Sequence, residues 1–86
     1  MIRLFEYQDA DLFCHHSLDE SPSPSEFYMH AHERMEILYF LSGDAQYLVE
    51  GSVYPLHPGE LLIMNRAEAH KLQLLSAQPY ERIVMH

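Results

Sequence analysis

The sequence predicts an all-β fold, a small antiparallel sandwich or barrel of about eight short strands. Turn signals recur at close and regular intervals: Ser42-Gly43-Asp44, Glu50-Gly51, His57-Pro58-Gly59, Asn65–Ala69 and Ala77-Gln78-Pro79. Between them lie short runs rich in Tyr, Val, Ile, Leu and Phe, the residues that suit a pleated, half-buried surface. One run also shows strand parity cleanly. His70, Leu72 and Leu74 alternate with Lys71 and Gln73, so His70 points where the leucines point, into the interior.

Taken in chain order, Ile2–Phe5 and Ala10–His16 read as two short strands without clean alternation. Ser21-Pro22-Ser23-Pro24-Ser25 then breaks regular structure. The later strands are expected at Met35–Leu41, Gln46–Val49, Val53–Leu56, Glu60–Met64, Lys71–Leu75 and Tyr80–Met85. Met29–Phe40 also contains good helix formers. On a helix, however, His32 and Glu36 share a face that His30 does not. The passage of Ile37–Leu41 into a glycine turn, followed by a hairpin closed at Glu50-Gly51, decides for strand. As a strand, the segment places His30, His32, Glu36, Leu38 and Phe40 on one face. Arg34 has the same parity, so a bulge or loop is expected between His32 and Met35. Ile37, Tyr39 and Leu41 form an apolar stripe on the other face, to be covered by a second sheet, further chain or a partner subunit.

At 86 residues and 10.1 kDa the chain has room for one domain, with residues 1–25 as an N-terminal arm with the first strands and 26–86 as the barrel core. An apolar content of 48% with ten aromatics excludes a disordered segment. No apolar run approaches the ~18 residues of a membrane span, and a basic-then-apolar leader is missing, so a cytoplasmic protein is expected. A single cysteine, Cys14, excludes a disulfide framework. The formal charge of −8 repels phosphate backbones, so DNA could be reached only through a domain that this chain lacks.

Seven histidines are the compositional outlier. His30, His32 and Glu36 on one face, joined by an inward His70, offer three imidazoles and a carboxylate to a common point. Such donors suit divalent Zn, Fe, Mn, Ni or Cu at about 2.0–2.2 Å and leave positions open for water or substrate. The plainer alternative is a hydrogen-bonded polar cluster, or a pocket that reads a polar effector without metal. Phe40 and Met64 are candidates to line that cavity. His15, His16, His57 and His86 read as surface residues, and Cys14 as a small core or half-buried side chain.

His30-Ala31-His32, three residues to Glu36 and six more to Gly43 resemble the first cupin motif. The glycine expected before His30 is replaced by Pro24. The second motif runs from Gly59 to His70 at the expected interval, with Asn65, Ala67 and Leu74 in place of its Pro, second Gly and final Asn. The phrasing of residues 36–43 and 54–62 is similar to the N-terminal sensor domain of AraC-type transcription regulators. The resemblance implies a double-stranded β-helix, the jelly-roll barrel of cupins, with His30, His32, Glu36 and His70 at the metal-ligand positions. It further implies a small-molecule effector, a homodimer and a separate DNA-binding domain. Because the sequence stops within the strand Tyr80–Met85, a truncated chain is expected. A stand-alone metal-dependent cupin enzyme, an oxygenase or isomerase, is the rival reading. Without a confidently placed acid or base beyond the ligands, the sequence favours sensing over catalysis.

Overall fold

The computed structural model describes residues 1–24, 27, 29 and 33–86. Eight strands run in chain order: β1 (Ile2–Gln8), β2 (Phe13–Asp19), β3 (Glu36–Ser42), β4 (Ala45–Val49), β5 (Ser52–Pro55), β6 (Leu61–Met64), β7 (His70–Leu74) and β8 (Tyr80–Met85). They form two antiparallel sheets, one ordered β1-β2-β8-β3-β6 and the other β5-β4-β7. Among the described residues no helix is long and apolar enough to cross a membrane.

Alternation makes the interior. Leu38 and Phe40 of β3, Tyr47 and Val49 of β4, Leu72 of β7 and Tyr80 and Val84 of β8 are buried in one apolar cluster that also takes in Met64. Each such side chain contributes roughly 1.5–3 kcal/mol through burial. The parity expected of β7 is present, with His70 and Leu72 buried and Lys71 and Gln73 half-buried.

Turn chemistry connects the layers. Val49 pairs with Ser52 across Glu50-Gly51, whose φ values of 47° and 82° are both positive, as a two-residue type I′ hairpin requires. The chain passes from one sheet to the other at Gly43, φ 138°, where an added Cβ would lie 3.3 Å from the Pro79 carbonyl oxygen and the Tyr80 Cα. That close approach restricts the position to glycine.

β3 starts at Glu36, and Glu33 and Arg34 form a bend before it, so the interruption expected between His32 and Met35 is found over 33–35. His30 and His32 lie outside the described residues. β1 runs past its expected end to Gln8, and β2 is shifted by three residues, starting at Phe13 and not Ala10 and ending at Asp19.

A candidate acid–imidazole site

Glu36 opens β3 facing inward, with only 4% of its surface exposed. β6 pairs Met64 directly opposite it, and β7 brings His70 from the other sheet. His70 Nε2 lies 3.7 Å from Glu36 Oε2, and both side chains are buried. His86, just past β8, places Nδ1 3.3 Å from the other carboxylate oxygen, Oε1. One carboxylate thus stands between two imidazoles.

The His70 ring is held from behind. Its Nδ1 lies 2.9 Å from the Glu68 carbonyl oxygen. A carbonyl can only accept, so Nδ1 carries a proton and donates it to Glu68, which leaves Nε2 as the ring atom turned toward Glu36. Orientation of an imidazole through its second nitrogen is the arrangement that prepares a metal ligand or a hydrogen-bond acceptor.

The Asn65–Ala69 loop that sets this geometry is bound at several points. The Asn65 amide donates to Glu68 Oε1 (2.6 Å) and the Glu68 amide to the Asn65 carbonyl (3.3 Å). Glu50, at the tip of the β4–β5 hairpin, donates its amide to the Ala69 carbonyl (2.9 Å) and accepts the Ala69 amide on Oε1 (2.8 Å). Ala67 adopts φ 66°, the left-handed conformation that favours glycine. This is where the second motif would place its glycine, so the backbone shape is retained although the residue is not.

Phe40 and Met64, expected to line a cavity, are fully buried. Phe40 packs beside Tyr80 with ring centroids 6.2 Å apart, while Met64 is the cross-strand neighbour of Glu36. Tyr47 lies 6.0 Å from the His70 ring. Burial chiefly, with the nearby Tyr80 and Glu36 adding to it, raises the Tyr47 phenol well above its ordinary range and keeps it neutral.

The sequence reads His86 as a surface residue and gives Glu50 and Glu68 no role at the site. His86 looks like a terminal residue until β8 pairs with β3 and brings it beside Glu36. It also stacks on Phe13, with centroids 5.5 Å apart. Of the histidines read as surface residues, His57 alone is largely exposed, and it pairs with Glu60 at 2.9 Å. His15 and His16 are half-buried within β2.

Whether Glu36 and His70 suit a metal turns on their donor chemistry. Two donors that each sit about 2.0–2.2 Å from a shared ion lie at most about 4.4 Å apart. The 3.7 Å separation satisfies that limit, and a carboxylate oxygen with an imidazole nitrogen is an ordinary pair for a divalent transition metal. Among the described residues no group of three or more His, Cys, Asp or Glu side chains is placed to hold an ion, so a fuller ligand set would need His30 and His32.

Comparison with known proteins is consistent with this architecture. The structure is similar to a predicted oxalate decarboxylase from Thermotoga maritima, with TM-score 0.71 and 20% identity over 85% of this chain and 63% of that one. It is similar also to a DMSP lyase from Ruegeria pomeroyi, with TM-score 0.69 and 24% identity over 86% of this chain and 36% of that one. The cupin domain of Schizosaccharomyces pombe Cnp3 superposes with TM-score 0.78 at 8% identity, over 98% of this chain and 60% of that one. At such identities the likeness is one of fold, and the chain spans less than two thirds of each of these three structures. No curated protein matches it. The cupin domain family, however, matches residues 20–86. With two antiparallel sheets closing on an inward acid and imidazole, and the family matched over most of its length, the chain belongs to the cupin superfamily.

Proposed function

We propose that the chain is the effector-sensing cupin domain of an AraC-type transcription regulator, holding a small polar effector in the barrel interior at Glu36 and His70, directly or through a divalent metal. The observation that carries the reading is the buried Glu36 carboxylate with an oriented His70 Nε2 at 3.7 Å. A carboxylate oxygen and an imidazole nitrogen brought together in the barrel interior are donors suited to a divalent metal or a polar ligand. The phrasing of residues 36–43 and 54–62 supports the regulator assignment.

His30, His32, Glu36 and His70 would hold Zn, Fe, Mn, Ni or Cu, and an ion bound there would supply a Lewis acid to anchor an effector oxygen. The chain's own residues do the rest. The Glu68 carbonyl fixes the His70 ring, Glu50 ties the loop to the hairpin, and the fully buried Met64 lies opposite Glu36. Occupancy would shift the barrel between two conformations and so bias an attached DNA-binding domain. That requires the effector to bind one conformation better than the other.

Thermal unfolding of wild type and Glu36→Gln against divalent metals and small polar molecules tests this reading. A ligand at about 100 times its Kd should raise the wild-type Tm by about 10 °C or more and leave the variant unmoved. If no ligand shifts Tm or oligomeric state while the barrel is intact, the sensor reading fails. Turnover of an enolisable or diketone-like substrate by the metal-loaded protein would replace it with the enzyme reading, an oxygenase or isomerase.

A further inference from the structure

A groove of about 300 Å³ lies where the β1–β2 turn, the residues entering β3 and the end of β8 meet. Leu12, Met35, Ile37 and Met85 form its apolar lining, and Asp11, Arg34 and His86 complete it. Ile37 and Met85 are register partners whose neighbours Glu36 and Val84 are buried, so the groove lies on the outer face of the sheet, apart from the barrel interior. Its walls are fixed by hydrogen bonds. Asp9 Oδ1 accepts the amides of Asp11 and Leu12, each at 2.8 Å, and the Tyr7 hydroxyl donates to Oδ2 at 2.8 Å. Beside them Phe13 and His86 exchange amide-to-carbonyl bonds of 2.6 and 2.8 Å. A groove held in this way spares a ligand much of the cost of ordering its site.

The rim carries two exposed charges, Asp11 and Arg34. The Arg34 guanidinium reaches the Asp11 carbonyl oxygen at 3.4 Å, which sets it beside the residue that bears the carboxylate. Among the described residues neither the guanidinium nor that carboxylate is in an ion pair. From these observations we propose that the groove binds a free α-amino acid with an apolar side chain, such as leucine, methionine or phenylalanine. Arg34 meets its carboxylate, Asp11 its ammonium, and Leu12, Met35, Ile37 and Met85 its side chain. The charges select this class. A simple anion would oppose Asp11 in a chain of formal charge −8, and a simple cation would oppose Arg34. An α-amino acid answers both and brings no net charge. The volume is at the lower end of the ~300–1,000 Å³ usual for small-molecule sites, which suits one amino acid better than a peptide. Met35, half exposed and unbranched, adapts to side chains of different shape. The proposal is independent of what the interior binds.

Titration of the full chain with leucine, methionine or phenylalanine, followed by amide NMR and calorimetry, tests it. The amide signals of Leu12, Met35 and Ile37 should shift to saturation, and serine should leave them in place. Isocaproate (leucine without its amine) and isoamylamine (leucine without its carboxylate) should each bind about 10-fold more weakly than leucine. Arg34→Gln and Asp11→Asn, both at exposed positions, should keep the fold and weaken leucine by a similar factor. Asp11→Asn should at the same time tighten isocaproate, because the opposing carboxylate is gone. Absence of these shifts with all three amino acids would overturn the proposal. So would equal binding of leucine and isocaproate, or leucine binding that both variants retain unchanged.

Discussion

Two buried polar clusters share the inward face of the five-stranded sheet, and they are built on opposite principles. Asp19 and Arg82 face one another from β2 and β8 with 4% and 6% exposure, bonded directly at 2.5 Å. The amino terminus approaches the same carboxylate at 3.6 Å, and the guanidinium lies 4.4 Å from the Tyr80 ring centroid. Permanent opposite charges meet there at hydrogen-bond distance. At Glu36 the neighbours are imidazoles, which carry charge only when protonated, at 3.7 and 3.3 Å. The first cluster is closed by its own chemistry and reads as structural. The second gathers groups whose charge follows their protonation.

The difference can be broken first at the closed end. Arg82→Ala leaves the Asp19 charge buried beyond its main partner and should cost about 3–5 kcal/mol, read as a fall in the urea midpoint. The double variant Asp19→Leu with Arg82→Met should recover most of that loss, because it removes both charges together. Near the same end, Gly43→Ala should cost about 1–3 kcal/mol, since its Cβ would press on Pro79 and Tyr80 at a positive φ. At the open end the sign reverses. Ala67→Gly should stabilise by up to about 1 kcal/mol by relieving φ 66°, without moving His70.

A smaller, pH-dependent effect lies at His15. Burial chiefly, and then the positive fields of Arg3, Arg82 and His86, lower this imidazole to about 4 from its usual 6.5, while Ser17 Oγ sits 2.8 Å from its Nδ1 and Glu6 is its register partner on β1. The folded state therefore holds fewer protons than the unfolded chain between those values. Stability should be lost as the pH falls from about 6.5 toward 4. Tm measured across that window should slope less steeply for His15→Gln than for wild type.

Much of the architecture was legible because it depends on local signals. β8 coincides with its expected span, Tyr80–Met85, and the parity of His70 and Leu72 follows from alternation alone. β1 gave a poor signal for a physical reason. All seven of its residues are exposed, so neither face imposes a burial pattern. Asp19 and His86 were missed because their partners, Arg82 and Glu36, lie 63 and 50 residues away and meet them only through strand pairing. Loop chemistry was half-visible. Ala67 looked like a lost glycine, whereas the chain keeps the left-handed turn and secures it through Glu50 and Glu68.

In the metal-bound form of the proposed site, Glu36 and His70 hold the ion as one unit. Titrating Zn or Mn into wild type, Glu36→Gln and the His32→Ala/His70→Ala double variant, with metal content measured after dialysis, addresses it most directly. Wild type should take up one ion per chain, and uptake should be at least about 100-fold weaker in both variants, with the fold retained. Equal uptake by all three proteins, or none by wild type, would contradict it.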